Sequence, residues 1–394
     1  MRLPILIFVL LLAVGCESMS GGDIAYDVGD IRISASFEGA RLSDCERRSD
    51  TAFVIEISPE TTPINPSPWF AFDIHSATAA TAEIELRYTY GWHRYRPKVQ
   101  FDNGAWETIE DVNLARKGKR AKFSLSLKPG TTRVSAQETT GLGDALELAE
   151  RIKTVPDVTV SVGGKSVEQR DLLMIANAPG EDQAPLIVIV GRQHPPETVG
   201  SIGLYAFLDR LFDDDEMAQA FRRQFKLVIF PLLNPDGVAA GNWRSNANNV
   251  DINRDWGPFE QPETRAVRDA ILVEQEKGAV PLLLLDFHGT KSDVFYTPDR
   301  EDELTPKNFP TRWLSRMDAI SCDRIPDPKP GWNPDLPTAK SWFPVAYGAP
   351  AITVEFGDES DRDYIRRISE AAAEALMLEF LSPDAPLTTE TGEC

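Results

Sequence analysis

Two apolar runs constrain this chain more than anything else in it: A-P-L-I-V-I-V at 184–190 and A-V-P-L-L-L-L at 279–285. Seven residues without a charge are short for a helix and leave no polar face for water. Such runs read as strands buried on both sides, the central strands of a parallel sheet covered by helices. Each run leads into a polar cluster, G-R-Q-H-P-P-E with His194 and Glu197, and D-F-H-G with His288. The sequence has only four histidines, and two of them stand just past these strand ends. Open α/β sheets place their sites there. Two imidazoles and one carboxylate are the ligand set of a catalytic zinc ion whose fourth position is left for water.

The 394 residues suffice for two domains. From about 24 to 135 the segments I-R-I-S-A-S-F, T-A-F-V-I-E-I, W-F-A-F-D-I, A-E-I-E-L-R-Y-T-Y, P-K-V-Q-F and A-K-F-S-L-S-L predict short strands and an antiparallel β-sandwich. From about 140 to 383, L-I-V-I-V, L-V-I-F-P, L-L-L-L-D-F and A-I-T-V-E-F alternate with helical patterns, which predicts an α/β domain. The proline-rich stretch 323–337 reads as an ordered loop near the site or a lid. The last residues, 384–394, read as a loose tail.

The N-terminus carries an address. Arg2, the apolar run Leu3 to Leu12 and small residues before Cys16 form a secretory segment too short to be a permanent membrane span. Ala13-Val14-Gly15-Cys16 resembles a bacterial lipobox, which predicts a lipoprotein-type signal segment over 1–16 that ends at Cys16, with that cysteine as the lipidated N-terminus of the mature protein. Glu17 favours the outer membrane over the inner one; the alternative is a plain signal peptide. Of the remaining cysteines, Cys322 can pair with Cys45 or with Cys394, and none has zinc-finger spacing. A net charge of −20 argues against nucleic acid as a partner and leaves the lipid anchor as the expected membrane attachment.

Further motifs narrow the chemistry: N-P-D-G at Asn234 to Gly237, G-N-W-R ending at Arg244, D-I-N-R with Asp251, Asn253 and Arg254, and T-V-E-F-G with Glu355. Together with H-P-P-E and D-F-H-G, in that order, they resemble the zinc metallocarboxypeptidases of the carboxypeptidase A type. The branch most similar is that of the cytosolic carboxypeptidases, or deglutamylases, whose catalytic domain follows a β-sandwich. W-F-A-F-D-I and Y-R-P-K-V resemble parts of that sandwich. The resemblance implies a mixed-sheet α/β catalytic domain and a single zinc ion on His194, Glu197 and His288. It implies Glu355 as general base, Arg244 beside the developing oxyanion, and Asn253 with Arg254 on the free C-terminal carboxylate of a peptide. Asp251 would orient the imidazole of His194. An acidic C-terminal residue is implied as substrate, with Lys291 or Arg192 as the cation. Asp286, two residues before His288 on the same strand face, is either a second partner of the metal site or an ordinary core-edge group. The family's mobile tyrosine has no counterpart in P-G-W-N-P-D, and Tyr347 stands too near Glu355 for that part. Two other readings remain at this stage: an amidohydrolase of N-acyl amino acids resembling aspartoacylase, and a lipid-anchored binding module with a degenerate site.

Overall fold

The structure is a computed structural model and describes residues 25–383, apart from 29, 63–65 and 182. The expected signal segment, Cys16 and the expected tail lie outside those residues.

Two sheets occupy the first third of the chain. One runs, in spatial order, β1 (Ala25–Val28), β2 (Ile31–Ser34), β5 (Ala71–Ser76), β11 (Gly130–Ser135), β7 (Lys98–Phe101) and β8 (Trp106–Thr108). The other runs β3 (Asp44–Arg47), β4 (Ala52–Ile57), β6 (Ala80–Tyr88), β10 (Arg120–Leu127) and β9 (Asn113–Ala115). Along β10, Ala121, Phe123, Leu125 and Leu127 turn inward while Lys122, Ser124 and Ser126 face water. That alternation builds a core with Phe53, Ile55, Phe72, Ile74 and Leu86. One feature departs from the antiparallel expectation: β4 and β6 pair in parallel. Between them the chain crosses to the opposite sheet as β5, so it returns running in its original direction.

The second part is built on an eight-stranded sheet ordered β12 (Val158–Lys165), β13 (Asp171–Asn177), β15 (Lys226–Phe230), β14 (Pro185–Gly191), β16 (Val280–Thr290), β19 (Ala351–Gly357), β17 (Val294–Thr297) and β18 (Asp327–Pro330). The four central strands β15, β14, β16 and β19 are parallel. The expected apolar runs are these strands, and their side chains serve two cores. Ile187, Ile189, Leu283 and Leu285 join one face, packed by α1 (Leu142–Ile152), α2 (Thr198–Leu211), α3 (Glu216–Gln224), α6 (Phe309–Ile320) and α8 (Arg362–Leu381). Leu186, Val188, Val190 and Leu284 join the other, under α5 (Pro262–Glu276) and α7 (Ala339–Tyr347). Alternate residues feed opposite apolar layers, which is why neither run can carry a polar position. Among the described residues no helix is long and apolar enough to cross a membrane.

From β14 the chain moves outward to β15 and then returns to the other side of β14 as β16. The crevice between β14 and β16 is therefore a topological switch point. Here α2 approaches β16 so closely that a Cβ on Gly200 would stand 2.7 Å from the carbonyl oxygen of His288. A Cβ on Gly289 would meet Val199 at 2.5 Å.

Candidate active site

His194 lies three residues beyond the end of β14, and Glu197 stands at the N-cap position of α2 with its carboxylate turned away from the helix. Buried Arg192 stiffens the loop between them. Its Nε donates to the Pro195 carbonyl (2.7 Å) and its Nη1 to Ser201 Oγ (2.9 Å). His288 stands on β16 and faces the same point. The two Nδ1 atoms reach the two oxygens of Glu197, His194 at 2.9 Å and His288 at 2.6 Å. Each Nε2 in turn faces a different carboxylate. His194 Nε2 is 3.1 Å from Asp251 Oδ1, and His288 Nε2 is 2.9 Å from Asp286 Oδ2. A carboxylate partner fixes the proton on Nε2 and presents the Nδ1 lone pair.

Two Nδ1 atoms aimed at one buried carboxylate favour a positive charge on or between the imidazoles, and the shifts of Glu197 and His288 follow from that attraction. Burial pushes the Glu197 carboxyl up, but the two imidazoles outweigh it and hold it well below the usual carboxylate range. Burial likewise pushes His288 down, yet Asp286 and Glu197 carry it well above an ordinary histidine. A ligand atom from each of His194, Glu197 and His288 lies within 4.8 Å of the others. The donor set and the carboxylates behind it fit one zinc ion with an open fourth position.

Asp251 begins the one-turn helix Ile252–Arg254 and caps it by accepting from the Asn253 N–H at 3.0 Å. Its other oxygen takes the Arg244 Nε–H at 2.8 Å. D-I-N-R thus ties His194 to Arg244 through one carboxylate. Asn253 is buried and committed: Nδ2 lies 3.3 Å from His288 Nε2, and Oδ1 accepts from the Ala339 N–H at 3.1 Å. Arg254 donates to the Asn253 carbonyl (2.7 Å), with about a third of its side chain open to the cleft.

Glu355 is set directly beside His288 by the β16–β19 register, which pairs the two residues. Its Oε2 is buried and has no hydrogen-bond partner among the described residues. Burial and then the charge of Glu197 push its carboxyl up to about 7, against the opposing pull of His288, His194 and Arg244. A carboxyl poised there exchanges protons readily near neutrality.

His194, Glu197, Arg244, Asn253, Arg254 and Glu355 line a cleft of about 240 Å³ together with Arg94, Tyr95, Trp243, Tyr296, Trp332, Thr338, Lys340 and Thr353. The proline-rich stretch enters it through Trp332, Asn333 and Leu336. The two cations expected to meet an acidic substrate are not there. Arg192 is spent on the loop, and Lys291 is exposed outside the cleft. Lys340 stands in the cleft instead, with Nζ donating to the Trp332 carbonyl at 2.6 Å. Asp286 is settled as the partner of His288, and it also accepts from Gln193 Nε2 at 2.8 Å. Tyr296, which no motif flagged, lies opposite Thr353 in the β17–β19 ladder, diagonally next to Glu355. Only the pairing of β17 with β19 reveals it. Cys45 is free and buried while Cys322 is disulfide-bonded, so the Cys45–Cys322 pairing is excluded.

Comparison with known proteins agrees with this site. A family profile described as zinc carboxypeptidase matches residues 147–369. An uncharacterised protein of Zymomonas mobilis is 23% identical over 366 residues, 77% of this chain and 92% of its own length. Cytosolic carboxypeptidase 1 of Gallus gallus is 31% identical over 149 residues, which are 36% of this chain but 12% of that much longer protein. The metallo-carboxypeptidase of Burkholderia cenocepacia has the same fold at 18% identity, with a TM-score of 0.75 over 89% of this chain and 98% of its own. The metallo-carboxypeptidase of Pseudomonas aeruginosa superposes with a TM-score of 0.71 at 21% identity, over 88% and 98%. With the ligand trio, Glu355 and both arginines gathered in one cleft, an enzyme explains the site where a degenerate binding module does not. The chain belongs to the zinc carboxypeptidase family and is a metal-dependent hydrolase.

Proposed function

We propose that the protein removes one residue from the free C-terminus of a peptide, with His194, Glu197 and His288 holding the zinc ion. The observation that carries this reading is the unpartnered carboxylate oxygen of Glu355 in a cleft that Arg244 and Arg254 also line. When bound, zinc supplies Lewis acidity toward the scissile carbonyl and a water of lowered pKa. Glu355 Oε2 accepts the proton of the attacking water and returns it to the departing amine. Arg244, held through Nε by Asp251, points its remaining donors at the oxygen on which negative charge develops. Arg254 takes the terminal carboxylate on its planar fork, and Asn253 fixes the turn beneath it.

An acidic leaving residue is the proposed preference. Lys340 supports it: a partly buried ammonium in the cleft, with one donor on a backbone carbonyl and the others unassigned. The lipobox-like segment supports an exported protein anchored through Cys16, a reading checked by palmitate labelling of wild type against Cys16→Ser. The function is tested with matched peptides carrying a free or an amidated C-terminus, analysed by mass spectrometry. The zinc-loaded protein shortens the free peptide by one residue and leaves the amide intact. Equal cleavage of both, or internal cleavage, would overturn the reading.

A further inference from the structure

The densest positive charge in this chain stands at the tip of the hairpin that joins β9 to β10. A-R-K-G-K-R at 115–120 places four cations in six residues, although the whole chain carries −20. Glu85 pairs with Arg120 (3.4 Å) and with Lys122 farther along β10 (3.0 Å). Arg116, Lys117 and Lys119 are exposed, and their side chains make no hydrogen bond or ion pair with any described residue. The turn itself does not call for them. Arg116, Lys117 and Gly118 have φ of 51°, 57° and 81°, a left-handed path that glycine or asparagine follows at less cost.

Exposed apolar side chains stand beside these cations. The Gly118 carbonyl accepts from the His93 N–H at 2.8 Å and the Lys119 carbonyl from the Tyr88 N–H at 3.0 Å, which ties the tip to the start of the loop joining β6 to β7. Trp92 on that loop lies against the tip: a Cβ on Gly118 would stand 3.5 Å from the Trp92 Cβ. About half of Trp92 and 59% of Leu114, on β9, are open to solvent. An indole with a polar edge, a leucine and long flexible cations on one hairpin match the headgroup zone of a bilayer, where each group finds its medium.

We propose that the β9–β10 tip, with Trp92 and Leu114, is a docking surface for a bilayer bearing anionic phospholipids. Arg116, Lys117 and Lys119 reach headgroup phosphates, while the indole and Leu114 enter the headgroup boundary. The charge complementarity is local: beyond a Debye length of about 10 Å the acidic remainder of the molecule is screened from the membrane. A soluble polyanion would use the cations but leave the leucine in water. Two residues after Trp92 the same loop brings Arg94 to the cleft. Docking therefore sets the cleft beside the bilayer and favours substrates presented there. The inference depends neither on the carboxypeptidase reading nor on acylation of Cys16.

The test uses the full-length chain as Cys16→Ser, which cannot be acylated there, with vesicles of phosphatidylcholine alone or mixed with phosphatidylglycerol. Hydrogen exchange is expected to slow across 90–93 and 114–119 on the mixed vesicles and to stay unchanged on phosphatidylcholine. Partition into mixed over neutral vesicles is expected to differ on the order of 100-fold, roughly fivefold per cation, and to fall as salt is added. The apolar segment 3–12 is common to every sample, so the ratio isolates the charge. Arg116→Gln, Lys117→Gln and Lys119→Gln together bring the ratio near unity with zinc content and melting temperature unchanged. Trp92→Ser weakens partition about 10-fold and keeps the salt dependence. Equal protection on both kinds of vesicle, or an unchanged ratio in the triple variant, would overturn the proposal. Equal protection of the same segments by soluble polyglutamate would overturn it too, since the cations would then serve an acidic chain.

Discussion

At the scale of single residues, the site is a set of carboxylates arranged around two imidazoles, and protons report on it. Without metal, His288 sits well above its ordinary pKa, because Asp286 and Glu197 together outweigh burial. Those two carboxylates favour the protonated imidazole. Zinc needs the bare Nδ1, so its binding is expected to release protons, and affinity falls as pH drops. Calorimetry in buffers of different ionisation enthalpy reads this number directly, and zinc binding with no proton release would contradict the arrangement. Asp251 joins His194 Nε2 to Arg244 Nε, so Asp251→Asn loosens both. It should lower zinc affinity or kcat/KM about 10- to 100-fold, the usual cost of losing a carboxylate behind a ligating histidine.

At the scale of elements, the site depends on how closely α2 lies against β16. A methyl on Gly289 would collide with Val199 and press on Glu197, the residue that opens α2. Gly289→Ala is therefore expected to cost about 1–3 kcal/mol of stability, as overpacking does, and to weaken zinc binding. Chemical denaturation and metal titration check the two effects. An unchanged melting curve would show that the helix has room to move. The elements that form the site were those legible in the sequence. The two apolar runs could only be buried central strands, and their ends had to meet across the switch point. By contrast, β3 with the sequence D-C-E-R and the edge strand β18 with D-P-K-P lack an apolar signature, and β17, though buried as V-F-Y-T, is only four residues long. Tyr296 and Lys340 belong to no motif of their own. Their places depend on the β17–β19 pairing and on the start of α7, contacts between segments far apart in sequence. Arg192 was misread for a different cause: a cation two residues before a metal ligand looks functional until its donors are seen to hold the loop.

At the scale of the whole molecule, the two parts of the chain share one working cleft. Glu60, from the sandwich, accepts from the Arg244 N–H at 2.9 Å and so supports the arginine from behind. Arg94 and Asp358, Lys98 and Glu359, and Arg362 and Glu138 bridge the same boundary. Glu60→Ala should lower kcat/KM by about 10-fold while leaving zinc bound, a split that kinetics and metal analysis resolve, since Glu60 touches no ligand. The central claim is that Glu355 moves the proton in a zinc-dependent C-terminal cleavage. Its most direct measurement compares wild type and Glu355→Gln in zinc content and in residues released from a C-terminal peptide library. The account predicts one zinc per chain in both proteins and a loss of at least about 100- to 10,000-fold in release by the variant. Undiminished release by a zinc-loaded Glu355→Gln would contradict it.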